Sequence, residues 1–302
     1  MTADSATFGE DTPRVTIGVP VYNGERYLAA ALESFLSQTY PHFRIVISDN
    51  ASTDGTEAIS RAFAARDPRV RYERSPVNVG VGRNYQRALS FCTTPYFRWA
   101  ADDDLSAPTF LERCIPVLDA HPDVVLAYPR TVLIDADGKG TEEYEDGLHL
   151  QHDRASDRFI AFMSRIRLCN VIFGLGRTEV LRRIRPLGAY VGSDIVLLAE
   201  LTLHGTFWEV PEFLFSRRMH PEAASAMTPA QLQVHYRPGP GGRPPLRGWR
   251  HLWEHARSTG RAPISLGNKA RVARYLLRGA IASRDILGGE LLGLAGSHLD
   301  RG

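Results

Sequence analysis

The sequence predicts an α/β fold: a sheet sandwiched by helices, followed by a small helical C-terminal extension. Three observations lead there. Strand and helix signals alternate from Arg14 to about Pro108. The strand candidates are short, and the first is rich in β-branched residues. Beyond "RPGPGGRPPLRG", a stretch dense in Pro and Gly, only helical periodicity remains.

The elements follow in order. "RVTIGVPVY" is rich in β-branched residues and reads as a strand. "GERYLAAALESFLSQ" places Leu28, Leu32, Phe35 and Leu36 on one helical face. "FRIVISD" is a second buried strand, running into "NASTDGTEAISRAFAAR", a helix for which Ser52 or Thr53 is a candidate cap. "VRYER" is a third strand, "NVGVGRNYQRALSFC" a glycine-rich turn entering a helix, and "PYFRWA" a fourth strand. "DVVLAYPRTVLID" with its turn "DADGKG" extends the sheet. "ASDRFIAFMSRI" reads as a helix, "NVIFGLGRTEVLRRI" as strand, turn and helix, "GSDIVLLAELTLHG" as a capped helix, and "TFWEVPEFLFSRRMH" as further strand. "WRHLWEHARS" and "KARVARYLLRGAIASRDILGGELLGLAG" are helical. Alternation of this kind implies parallel strands, and ligands then bind beyond their carboxyl ends. Tyr22 and Asn23, Asp49 and Asn50, Asn78, and Asp102 to Asp104 all fall at or just past such ends.

Composition narrows the partners. The chain has 302 residues, 43% of them apolar and 23% charged, ordinary for a globular domain. A formal net charge of +2 gives no field suited to nucleic acid, and none is expected as a partner. Cys92, Cys114 and Cys169 are odd in number and far apart, so neither a disulfide framework nor a zinc knuckle is indicated. "MTADSATFGEDTP" does not read as a signal peptide, and no run approaches the ~20 apolar residues that span a bilayer. A cytoplasmic protein is expected.

Three adjacent aspartates need a reason, because like charges this close repel. Asp104 and Ser106 are candidate caps for the helix near "PTFLERCIPVL". A divalent cation is the functional alternative, since hard cations take carboxylate oxygens. The segment also matches loosely the DxDx(S/T) of aspartyl-phosphate phosphatases, but only Lys139 and Lys269 could supply the lysine that chemistry uses.

"VTIGVPVYNGERYLAAALESFLSQTYPHFRIVISDNASTDGT", then "NVGVGRN", then "WAADDDLSAP", together resemble the family 2 glycosyltransferases with the GT-A fold. The resemblance is strong from Arg14 to Pro108, weaker to about His220, and faint beyond. It implies a GT-A domain over 13–220, with a nucleotide-binding half, 13–108, and an acceptor half, 109–220. A flexible tail, 1–12, would precede it; a linker, 221–245, and a helical extension, 246–302, would follow. It implies an inverting, non-processive enzyme that moves a sugar from a nucleotide-diphosphate donor, a UDP-sugar first, to an acceptor hydroxyl with Mn²⁺ or Mg²⁺.

Residue by residue, Pro20, Val21 and Tyr22 would line the nucleobase pocket and Asp49 would accept a hydrogen bond from the base. Asn78 and Arg83 would hold nucleotide and diphosphate. Asp102 would lie near the ribose, and Asp103, with Asp104 and His220, would ligate the metal. Asp194 would be the general base, and Arg217 or Arg218 would approach the leaving diphosphate. Two departures stand out. Ala101 fills a slot where relatives carry an acid, and Ser193 stands where Glu often precedes the base.

Each assignment has a plainer counterpart: an Asx turn for Asp49 and Asn50, a helix cap for Asp194, a surface histidine for His220, packing for Trp249 and Trp253. Two other classes stay open, a nucleotidyltransferase and a silent nucleotide-sugar binder. The first would want a G-x-G-T-R-like loop where the chain has "VPVYNGER"; loss of the base would point to the second. The Arg-rich, apolar C-terminal helices suit either peripheral contact with a membrane or a homodimer.

Overall fold

A computed structural model describes residues 12–223, 226–228, 231–232, 236 and 246–292. The expected tail, 1–12, lies almost wholly outside the described residues, as does most of the expected linker.

The core is a nine-stranded mixed sheet with strand order β3-β2-β1-β4-β8-β6-β9-β5, and β7 paired to β6. Its first half is the one the sequence forecasts: β1 (Val15–Val21), β2 (Phe43–Asp49), β3 (Val70–Arg74) and β4 (Tyr96–Trp99) are parallel neighbours. All seven residues of β1 are buried, because strands flank it and helices cover both its faces. On one face Val15, Ile17 and Val19 pack with Leu28, Ala31, Leu32 and Phe35 of α1 (Leu28–Leu36). α2 (Thr56–Arg66) and α4 (Phe110–Ala120) share that layer, through Phe63 and Phe110. α3 (Val81–Ser90) packs on the other face, where Ala88, Phe97 and Trp99 join a second core with Phe159 and Phe162 of α5 (Ala155–Arg165).

The second half mixes directions. β6 (Val124–Ile134) runs parallel to β9 (Thr206–Arg218) along its whole length. On its other side β6 pairs antiparallel first with β8 (Leu175–Arg177) and then with β7 (Gly140–Tyr144). β8 joins the halves by pairing antiparallel with β4. β5 (Leu105–Ser106) pairs with the end of β9, which draws the aspartate triplet toward Arg217 and Arg218. α6 (Thr178–Arg183) and α7 (Ser193–Thr202) complete this half. The apolar run "NVIF", expected as strand, is a 3-10 turn, Asn170–Phe173, and the strand begins two residues later.

The C-terminal helices are α8 (Arg247–Arg261), α9 (Leu266–Ala282) and α10 (Arg284–Leu291). They are tied to the domain by α8 and by α9, whose Arg271 pairs with Asp157 of α5 at 2.7 Å and whose Val272 joins the second core. Glu200 of α7 takes Ser258 at 2.8 Å and Arg261 at 3.1 Å, and Glu254 pairs with Arg185. No helix among the described residues is long and apolar enough to cross a membrane.

Two expected caps are replaced. α2 starts after Gly55, and the Asp54 carboxylate, not Ser52 or Thr53, accepts from the Thr56 amide at 3.1 Å. α4 starts after Thr109 with no side-chain cap, so neither Asp104 nor Ser106 plays that part.

Arg98 of β4 is fully buried, with its guanidinium 3.8 Å over the Phe110 ring. None of its three nitrogens has a hydrogen-bond partner among the described residues, and burial lowers its pKa to about 10. Stacking on Phe110 offsets only part of the desolvation cost. Arg98→Met, which keeps the length and removes the charge, is expected to raise unfolding free energy by about 1–4 kcal/mol in urea titration.

Candidate active site

A cleft of about 840 Å³ opens at the carboxyl ends of β1, β2 and β4. One wall is the end of β1 and the turn after it, Pro20, Val21 and Tyr22, with the Tyr22 ring exposed. This turn is shaped by its glycine. A Cβ on Gly24 would sit 2.2 Å from Oδ2 of Asp102, so only glycine lets the turn close against the triplet. Asn23, with φ 56°, accepts the Thr53 amide at 2.8 Å and pins the turn to the segment after β2.

The second wall pairs Asn50 with Asn78. Asn50 donates to Oδ1 of Asn78 at 2.9 Å and accepts from the Val79 amide at 2.8 Å, tying the ends of β2 and β3 together. Asn84, one helical step past Arg83, also lines the cleft. It is buried and bonded to Ser48 and to the Val21 carbonyl.

The floor is the triplet. Asp104 is buried and accepts the Arg218 amide at 2.8 Å. Burial first, then the Asp103 charge, pushes the Asp102 and Asp104 carboxyls above the usual carboxylate range. Oδ2 of Asp103 stands 2.9 Å from Nε2 of His220. Arg218 spends its guanidinium on the carbonyls of Asp103, Asp135 and Ala136, so it clamps the triplet's backbone. Arg217 is held by Leu168 and Asn170 while still facing the cleft.

Asp103 and His220 suit a hard divalent ion. In this structure the two bond directly to each other, so both would have to turn outward to take an ion. The buried Nδ1 of His220 has no partner among the described residues. No group of three His, Cys, Asp or Glu side chains among the described residues is placed to hold a metal ion.

The sequence model of glycosyl transferase family 2 matches residues 16–184, more than half of the chain. The chain belongs to glycosyltransferase family 2. Over 110 residues this family 2 chain is 36% identical to the putative glycosyltransferase EpsE of Bacillus subtilis (strain 168). That stretch covers 36% of this chain and 40% of EpsE, so the match spans less than half of either. Among solved structures, S. aureus TarS 1–349 in complex with UDP-GlcNAc aligns with a TM-score of 0.67, covering 95% of this chain and 77% of that one at 15% identity. The mannosyltransferase PcManGT from Pyrobaculum calidifontis, in complex with GDP-Man and Mn²⁺, aligns at 0.52, covering 94% and 81% at 20% identity. These likenesses establish the GT-A fold.

Within the family 2 cleft, Pro20, Val21, Tyr22, Asn78, Asp102, Asp103, Asp104 and His220 come together. Asp49, Arg83 and Asp194 do not line it. Asp49 is fully buried and accepts three short bonds, from the Ser52 amide at 2.8 Å and from Tyr72 and Arg74 at 2.6 Å each. Burial alone would raise its pKa, but these donors outweigh it and hold the carboxyl below its ordinary range. Arg83 points to solvent from the first turn of α3.

Asp194 stands in the first turn of α7, beside the buried Cys169 thiol, whose pKa rises through burial and the Asp194 charge. Tyr236 feels the charge of this region. Burial and then Asp194 and Cys169 raise its phenol, while Tyr85 in the cleft wall senses Asp102 and Tyr236. Glu222, Ala223, Met227 and Gln231 also line the cleft, so the stretch expected as a linker forms part of its wall. Nothing in its Pro/Gly-rich composition signals this. Tyr27, whose ring lies 4.9 Å from that of His220, is likewise silent in the sequence.

Gly192 sets the position of Asp194. It precedes α7 with φ +83°, and a Cβ there would meet Cε1 of His251 at 2.4 Å. His251 itself reaches the Val191 carbonyl at 2.8 Å. Gly192→Ala is expected to cost about 1–3 kcal/mol from left-handed strain and the clash, read as a lowered melting temperature.

Proposed function

We propose that this chain is an inverting glycosyltransferase that moves a sugar from a nucleotide-diphosphate donor, a UDP-sugar first, to an acceptor hydroxyl in glycan or cell-surface polysaccharide synthesis. The observation that carries the reading is the meeting of Tyr22, Asn78, Asp102, Asp103 and His220 in one cleft of a family 2 chain. The nucleotide sugars held by TarS and PcManGT support it.

The exposed Tyr22 ring offers a stacking face to a nucleobase, with Pro20 and Val21 as its apolar slot. Asp49, behind the cleft wall and bonded to Ser52, Tyr72 and Arg74, holds the end of β2 in place for the base. Asn78 holds the nucleotide, Arg83 swings toward the diphosphate, and Asp102 takes the ribose. Asp103 and His220 would hold Mn²⁺ or Mg²⁺ together with oxygens of the diphosphate, while Asp104, tied to the Arg218 amide, would back them. When bound, the ion supplies Lewis-acid stabilisation of the charge on the departing diphosphate.

Arg217 faces the same oxygens with a planar fork of donors. Asp194 takes the proton of the acceptor hydroxyl as its oxygen bonds to the anomeric carbon. The bond from that carbon to the diphosphate oxygen breaks, and its electron pair leaves with the nucleoside diphosphate. Attack comes from the face opposite the leaving group, so configuration inverts. Aligning a donor in the cleft with an acceptor beside Asp194 supplies much of the remaining acceleration.

The test is a panel of UDP-, GDP- and dTDP-sugars assayed for release of nucleoside diphosphate with Mn²⁺ and with EDTA. Release from one donor, dependent on Mn²⁺, is the expected result. Binding without any release would favour the silent binder.

A further inference from the structure

We propose that the outer face of α8 and α9 docks on an anionic lipid surface. The proposal stands on helix periodicity, exposure and charge, and does not depend on the function proposed for the cleft.

On α9, Leu266, Ala270, Ala273, Leu277 and Ile281 recur at steps of four, three, four and four, which places them on one helical face. That face points away from the domain. Leu266 is 83% exposed, Leu277 60% and Ile281 56%, and only Val272 of this helix is fully buried. On α8, Trp249, Trp253, Ala256 and Gly260 follow the same kind of spacing, and all four are exposed. Trp253 leaves 65% of its surface to solvent, a costly placement for the most apolar-rich of side chains. Between the helices runs a groove of about 260 Å³ floored by Leu252, Ala256, Ala273, Leu276 and Leu277. Contiguous exposed apolar surface of this kind marks an interaction face.

Charge selects the occupant. Residues 247–292 hold nine Arg and Lys against three Asp and Glu, a net charge of +6. The rest of the chain holds twenty-seven against thirty-one, a net charge of −4. The basic groups flank the apolar stripe: Arg274 and Arg278 each follow a stripe residue by one position, and neither makes an ion pair among the described residues. A second copy of the chain would set +6 against +6 across the contact. An anionic lipid surface instead supplies the counter-charge. Tryptophan beside arginine suits the boundary between headgroups and acyl chains. The contact is interfacial, since no described helix is built to span.

The docked face is rigidly connected to the site. The same α8 that carries Trp249 and Trp253 packs His251 on Gly192 and anchors Glu200 of α7 through Ser258. Lipid docking therefore fixes the orientation of the helix that bears Asp194 relative to the surface.

The experiment is sedimentation of the full chain with vesicles of phosphatidylcholine alone and of phosphatidylcholine with phosphatidylglycerol, at low and high salt. Pelleting with the anionic vesicles only, weakened by salt, is expected. The pair Trp253→Ser with Leu277→Ser should reduce the bound fraction at least about tenfold, and Arg274→Glu with Arg278→Glu by at least as much. Both pairs lie on the exposed face, so unchanged circular dichroism and nucleotide binding accompany the loss. No pelleting, or equal pelleting on both vesicle types, overturns the proposal. So does a dimer in sedimentation equilibrium, without lipid, that Trp253→Ser with Leu277→Ser dissolves.

Discussion

Asp194→Asn is expected to lower the rate of sugar transfer by about 10²–10⁴-fold, the usual worth of a positioned general base. Nucleotide-sugar affinity is expected to stay unchanged, because Asp194 lies outside the cleft that the donor would fill. Asparagine is the informative replacement. Asp194 is not the cap expected of it: α7 is preceded by Gly192 and has no side-chain cap. Asparagine keeps the size and shape of the side chain, so a purely structural Asp194 would tolerate it, and transfer would continue near the original rate. The surroundings support the chemical role. Asp194 sits at the opening turn of α7, beside a buried thiol, and its charge acts on the Tyr236 phenol. Initial rates with saturating donor, set beside a binding isotherm for the nucleotide, separate the two roles.

Asp103→Asn is the second large effect. The substitution keeps the size of the side chain and removes the charge that faces His220 at 2.9 Å. Loss of the charge that anchors the leaving group's counter-ion is expected to cost about 10²–10³-fold in transfer, comparable with removing one preorganised electrostatic contact elsewhere. Unlike Asp194→Asn, it is expected to weaken donor binding as well, because the diphosphate is gripped in the ground state too. His220→Asn should follow the same pattern. Asp49→Asn differs: its buried carboxylate holds Tyr72 and Arg74, so its main consequence is lost stability.

Much of this fold was legible from residue pattern alone. The apolar runs at Val15–Val21 and Phe43–Asp49 became adjacent parallel strands, and Tyr22, Asn23 and Asn50 just past their ends met in one cleft. What the pattern could not show depends on registry between distant segments. The three-residue β8 and two-residue β5 are too short to carry periodicity, yet they bring Gly176 beside Phe97 and the triplet beside Arg218. Arg83 and Asn84 are neighbours in "NVGVGRN", but on a helix one turns to solvent and the other into the cleft. The motif carries both, and only the docking of α3 on β1 and β2 decides between them. Asp104 looked like a cap because it precedes a helix; the Arg218 amide, from a strand more than a hundred residues away, claims it instead.

The central claim is that Asp103 and His220 hold a divalent ion through which the cleft grips a nucleoside diphosphate. Isothermal titration of the preferred nucleotide sugar, with Mn²⁺ and then with EDTA, tests it most directly. The account expects heat of binding only when Mn²⁺ is present, and none with Asp103→Asn under either condition. Equal affinity in Mn²⁺ and EDTA, unchanged by Asp103→Asn, would contradict it.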